Sequence, residues 1–244
     1  MLSVVLPTRN EREGVEILVH ALASILDRPT GGAFELLVVD DSNDGSDRYL
    51  AERFAPLAPR VRFHHRARGT GLGTAIGDGI EMATCRLVAV MDADFNHDPL
   101  DVPPLLARFQ EGADLVGGSR FLPGGGMPGH PFRCQGSRLF NLFIRRALAL
   151  PTTDHLGGYW LAERARIVDL KRSWELFHGY GDYYIRLLFA AHLLGWRVVE
   201  LPMRYLQRLR GESNTSFRRE LVRYSRVVGQ LRRERAALAA RLAS

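Results

Sequence analysis

The chain has 244 residues, 46% hydrophobic and 25% charged, which suits one globular domain with a sizeable core and argues against a disordered segment. Its two cysteines, Cys85 and Cys134, lie far apart without metal-ligand spacing, so a disulfide framework or a zinc site is not expected and a reducing compartment fits better. The net charge of +6 belongs to the tail, where residues 217–244 carry eight arginines against Glu220 and Glu234, while everything before it is balanced.

Met1 to Pro7 has no basic leader and reads as a first strand, Val4 to Leu6, instead of a signal peptide. Val15, Leu18, Leu22 and Ile25 then recur on one helix face between Glu13 and Leu26. Leu36 to Val39 predicts a buried strand ending in Asp40 and Asp41, with a turn-rich stretch that can cap a helix starting near Asp47. Val61 to His64 predicts a third strand, and Gly69-Thr70-Gly71-Leu72-Gly73 opens a helix running to about Thr84. That glycine stretch fails the Gly-x-Gly-x-x-Gly register, and no Gly-Lys-Ser/Thr occurs, so a nicotinamide fingerprint and a Walker loop are both absent. Its free amides, with nearby arginines, remain able to meet an anion.

Arg86 to Met91 is a β-branched apolar run closed by Asp92 and Asp94. A buried parallel strand ending this way places two carboxylates in the crevice where α/β sheets bind ligands, poised to converge on one hard cation beside a diphosphate. A helix near Val102 to Phe109 and a strand over Ala113 to Val116 follow. The Gly/Pro-rich segment from Phe121 to Phe132 predicts a mobile loop over the crevice. Arg133 to Leu150 reads as an amphipathic helix suited either to a membrane interface or to packing on the sheet, Tyr180 to Leu194 as a further helix, and Trp196 to Leu201 as a strand.

The tail repeats apolar residues at Phe217, Leu221, Tyr224, Val228 and Leu231, a basic amphipathic helix open to an anionic lipid surface, the domain itself or a coiled-coil partner. Nucleic acid is disfavoured, since only Phe217 and Tyr224 there could stack on bases. No apolar stretch is long enough to span a membrane, so membrane contact is expected to be peripheral.

Six short motifs occur in one order: Pro-Thr-Arg-Asn-Glu at 7 to 11, Val-Val-Asp-Asp at 38 to 41, Gly-Leu-Gly-Thr-Ala at 71 to 75, Met-Asp-Ala-Asp at 91 to 94, Gly-Ser-Arg at 118 to 120 and Arg-x-x-Gly-Glu-Ser at 208 to 213. Over about residues 3 to 215 the chain resembles family 2 glycosyltransferases of the GT-A fold, in the dolichol-phosphate (polyprenyl-phosphate) mannosyltransferase branch. The resemblance implies a Rossmann-like, mostly parallel sheet flanked by helices, with a catalytic domain at 1–215 and a basic amphipathic helix at 216–244. It implies a nucleotide-sugar donor held by Pro7, Thr8, Arg9, Glu11, Val39, Asp40, Asp41, Asp92 and Ala93. Mg2+ or Mn2+ would sit on Asp92 and Asp94, with Asn96 standing where the branch has a Gln as third ligand. Arg120, Arg133, Ser137 and Arg208 match the positions that hold the phosphate of a polyprenyl-phosphate acceptor, and guanidinium forks suit that group.

The implied reaction is inverting transfer of a hexose, by analogy mannose from GDP-mannose, at the cytoplasmic face of a membrane. Anchoring would come from the amphipathic helices or a membrane-anchored partner. The chain departs from the branch at Leu156-Gly157-Gly158-Tyr159-Trp160, at Arg186 and at Asn214. These positions lie in the acceptor half, which keeps a hydroxyl acceptor open, with Asp154, Asp182 or His97 as its base. A catalytically silent binding module is the alternative of another class, disfavoured by the retained acids. A sugar-nucleotide pyrophosphorylase is disfavoured too, because its glycine- and lysine-rich loop is missing.

Overall fold

The computed structural model describes residues 1–68, 71–129, 131–206 and 217–243. Among these residues, seven strands form one sheet in the order β3-β2-β1-β4-β6-β5-β7. The strands are β1 Leu2–Thr8, β2 Phe34–Asp40, β3 Val61–His65, β4 Leu87–Val90, β5 Leu115–Ser119, β6 Trp160–Glu163 and β7 Val198–Pro202. Pairing is parallel except for β6, which runs antiparallel to both β4 and β5. The helices are α1 Arg12–Thr30, α2 Ser46–Phe54, α3 Leu72–Met82, α4 Val102–Gln110, α5 Pro131–Leu148, α6 Arg164–Ser173, α7 Asp182–Leu193 and α8 Phe217–Ala243.

Every residue of β1 and β2 is buried, the mark of strands covered on both faces. Side chains alternate accordingly: Val4, Leu6, Leu36 and Val38 join α1, α2 and α4 in one core, whereas Val5, Leu37 and Val39 join α3, α6 and α7 in the other. Gly79 lets α3 lie close to the sheet, because a Cβ there would run into Val5.

Three sequence expectations change. The segment 151–179 carries β6 and α6, which periodicity does not announce, since a four-residue strand and a ten-residue polar helix are too short for either period to stand out. The stretch after Ser119 is pinned instead of mobile over residues 121–129. Gly126 bridges Arg204, the Tyr205 amide donates to the Gly126 carbonyl, and Met127 is buried. The apolar face of α8 is spent inside the protein, where Tyr224, Val227, Val228, Leu231 and Leu238 pack with Ile144 and Leu148 of α5 and Ile185 and Phe189 of α7. That face is not presented to lipid.

Several exposed apolar residues cluster on α5, with Phe132 92%, Leu139 68% and Phe143 45% accessible beside Arg138, Arg145 and Arg146. No helix among the described residues is long and apolar enough to cross a membrane.

Candidate active site

The carboxyl ends of β1, β2 and β4 open into a cleft of about 330 Å³. Pro7, Thr8, Arg9, Glu11, Asp41, Asp92, Ala93, Asp94, Arg120, Arg133 and Ser137 all line it. Val39 and Asp40 do not, although the resemblance placed them on the donor. Val39 faces α3 in the core, and Asp40 is fully buried behind the cleft wall. There Asp40 accepts hydrogen bonds from the Ser42 hydroxyl at 2.5 Å and His65 Nδ1 at 2.8 Å. Ser42 in turn accepts from the Asn10 amide at 2.8 Å, so this acid braces the loop after β1. Arg208 lies outside the described residues, as does Asn214.

Asp41 is gripped by a guanidinium fork, with Arg66 Nε at 2.7 Å and Nη2 at 2.5 Å. Nη1 of the same arginine reaches Asp78 at 2.9 Å and Thr74 at 3.0 Å. Arg66, one of the two arginines expected near the glycine stretch, is therefore spent on tying the end of β2 to the first two turns of α3. Gly71 there has φ of 109°, a conformation that side-chain-bearing residues rarely adopt.

Beyond β4 the backbone turns sharply, and Phe95 takes a positive φ of 62°. Backbone strain of this kind is held where the surroundings over-determine it. Asn96 donates to both carboxylate oxygens of Asp94, from its amide at 3.0 Å and from Nδ2 at 2.5 Å. One methylene shorter than Gln, it folds back on Asp94 and is itself 2% exposed, so the expected third metal ligand does not line the cleft. Asp92 and Asp94 both do, and two carboxylates are the hard oxygen donors that Mg2+ or Mn2+ takes when substrate phosphates and water complete its shell. The residues present fit such an ion.

His97 holds this turn from behind. Its Nδ1 accepts from the Asp92 amide at 2.9 Å, which leaves the proton on Nε2 to be donated to the Gly157 carbonyl at 3.0 Å. The ring stacks on Tyr159 at 4.8 Å. Burial pushes its pKa down to about 4, against the pull of Asp94. A neutral, fully buried imidazole bridging two backbones is a strut, not a base.

Across the cleft, Arg120 presents Nε at 2.6 Å and Nη2 at 2.8 Å to Asp154, which is fully buried. The pairing outweighs burial in setting both groups, since the Asp154 carboxyl lies below its usual range and the guanidinium above. Asp154 is thus a counter-ion. Asp182 is likewise committed, to Arg186 at 2.6 Å and Arg223 at 3.3 Å. Arg186, a departure from the branch, has its partner one turn away on α7. Arg133 is exposed and lies 5.9 Å from the Tyr205 ring, over which Arg120 also sits at 5.5 Å.

Tyr180, Tyr183, Tyr205, Glu220 and Tyr224 also line the cleft, and the sequence reading gave none of them a role in it. Tyr205 has a weak signal, an aromatic just ahead of the Arg208 motif. Glu220 is the sole acid in the first turn of an arginine-rich helix.

A parallel sheet broken by one reversed strand, with paired acids at its carboxyl edge facing arginines across a cleft, is the architecture of enzymes that take sugars from nucleotide donors. The chain belongs to glycosyl transferase family 2, whose sequence profile matches residues 3–167. Similar proteins include the polyprenol monophosphomannose synthase of Mycolicibacterium smegmatis, 33% identical over 87% of this chain and 80% of that one. The undecaprenyl-phosphate mannosyltransferase of Micrococcus luteus is 34% identical over 87% and 86%. A crystal structure of glucosyl-3-phosphoglycerate synthase from Mycobacterium tuberculosis with Mn2+, uridine diphosphate and glucosyl-3-phosphoglycerate superimposes with a TM-score of 0.64. It is 21% identical, with 95% of this chain and 78% of that one covered, and this likeness bears on the fold alone.

Proposed function

We propose that the protein transfers a hexose, mannose from GDP-mannose in the first instance, to a polyprenyl phosphate with inversion at the anomeric carbon. The observation that carries this reading is one cleft that brings together the acids Asp92 and Asp94 at the end of β4 and the cations Arg120 and Arg133 with Ser137. The names of the two similar mannosyltransferases support the donor sugar and the lipid acceptor. Asp92 and Asp94 would hold a divalent cation, whose charge when bound would offset the charge that grows on the departing nucleoside diphosphate.

The arginine wall brings an acceptor phosphate up to the opposite side of the sugar. One of its oxygens attacks the anomeric carbon as the bond to the diphosphate breaks, and since that oxygen is already anionic at neutral pH, no proton has to be removed. The three groups that a hydroxyl acceptor was expected to use as base, Asp154, Asp182 and His97, are committed to Arg120, to Arg186 and Arg223, and to two backbone groups respectively.

The exposed apolar and basic residues of α5 suit an anionic membrane surface. This face would bring the lipid phosphate to Arg133 in the first turns of the same helix, from the cytoplasmic side, with or without a membrane-anchored partner. The test is transfer of labelled sugar from a panel of nucleotide sugars to a short polyprenyl phosphate with Mg2+ or Mn2+. Metal-dependent lipid product that disappears in Asp94→Ala is the expected result, and donor turnover onto a soluble alcohol but never onto the lipid would sink the proposal.

A further inference from the structure

Glu220 sits in the first turn of α8 and Tyr224 one turn further on, and both face the cleft that holds Asp92, Asp94, Arg120 and Arg133. An acid at a helix start ordinarily serves the helix dipole from solvent. This one is turned inward, and its Oε2 is buried with no hydrogen-bond partner among the described residues. A buried carboxylate oxygen without a donor is costly, and a site keeps one where a ligand brings the donor.

The cleft narrows the choice of ligand group. Phosphates are drawn to Arg120 and Arg133 and repelled by Glu220, so the ligand group that meets Glu220 is a hydrogen-bond donor without negative charge. A hexose offers several hydroxyls. Its apolar C–H faces pair with aromatic rings, and the exposed Tyr180 lines the cleft together with the buried Tyr183 and Tyr224. Gly181 lets the Tyr224 hydroxyl pack against its backbone, because a Cβ there would lie 2.6 Å from that hydroxyl. The carboxylate is held in place by rigid elements: Arg223 ties α8 to Asp182 at 3.3 Å, and the Tyr224 ring packs 6.3 Å from Phe140 of α5.

We infer that Glu220 accepts hydrogen bonds from hydroxyls of the hexose being transferred, with Tyr224 beside it, and so makes the C-terminal helix part of the donor-sugar subsite. The inference rests on the reading of this cleft as a nucleotide-sugar site. It makes Glu220 a specificity residue that touches the sugar and leaves the nucleotide to the strand ends.

Binding of GDP and of GDP-mannose, each with Mg2+, is measured by titration calorimetry on wild type, Glu220→Gln and Glu220→Ala. The expected result is unchanged affinity for GDP together with a roughly tenfold smaller preference for GDP-mannose over GDP in Glu220→Ala. Glu220→Gln, which keeps one acceptor oxygen, should fall between. An unchanged preference in Glu220→Ala would overturn the inference, as would equal weakening of both ligands, the mark of a purely structural role. Loss of turnover in Glu220→Gln with the sugar preference intact would overturn it in favour of a base acting on a hydroxyl acceptor. Failure of the wild type to bind GDP or GDP-mannose would overturn the donor reading as well, so the two failures are distinguishable.

Discussion

On the β1, β2 and β4 side of the cleft, acids at strand ends are braced partly from the loops that follow, Asp40 by Ser42 and Asp94 by Asn96, and partly by the end of β3 and the residue after it, His65 on Asp40 and Arg66 on Asp41. On the other side, Arg120 and Asp154, 34 residues apart, meet in a buried pair, and buried Asp182 holds Arg186 one turn along α7 and the partly exposed Arg223 of α8. The first side is a set of local motifs that can lose one member and keep its backbone. The second is a structural interlock in which a binding group and its counter-ion are inseparable, so a mutation there changes stability before it changes chemistry.

The sharpest way to break this contrast is Asp154→Asn, which leaves Arg120 buried opposite a neutral group. It should lower unfolding free energy by about 3–5 kcal/mol, read from urea denaturation, and a loss no larger than that of a surface mutant would mean the interlock does not exist. Asp94→Ala tests the other side. Transfer should fall on the order of a hundred- to a thousandfold while the melting temperature holds, with chelation of the metal giving the same fall in wild type.

Arg133→Ala lies between the two, because Arg133 belongs to the acceptor side yet is exposed and outside the buried pairs. It should raise the KM for lipid phosphate roughly tenfold or more and leave the donor KM and stability unchanged. An effect that vanishes at neutral pH concerns His155, buried between Asn141 and Thr152 and depressed by burial from 6.5 to about 4. Above pH 6.5 both folded and unfolded imidazoles are neutral, and the stability is complete. As pH falls towards 4 the unfolded chain binds the proton first, so stability should drop across that window by up to about 3 kcal/mol. His155→Gln should make the decline shallower in denaturation curves taken at each pH.

The same contrast explains what could be read from the sequence. Asp40, Asp41, Asp92 and Asp94 announce themselves because a buried strand that stops at an acid is a local pattern. The expected α/β order holds from β1 to β5 for that reason. Nothing near Asp154 says that its partner is Arg120, 34 residues away, or that Asp182 is committed to Arg223 on the last helix. The period of α8 was plain, but not the destination of its apolar stripe, because the complementary surface on α5 and α7 is assembled only by folding. Asn96 shows a finer limit. Its side chain has the atoms of a ligand, yet its reach lets it close on Asp94.

The Arg120 and Asp154 pair also constrains descent. Either residue altered alone strands a buried charge, so a lineage can leave this arrangement only by changing both positions nearly together or by first relieving the burial. Among relatives that take another acceptor, positions 120 and 154 are therefore expected to differ jointly, while the exposed Arg133 drifts on its own.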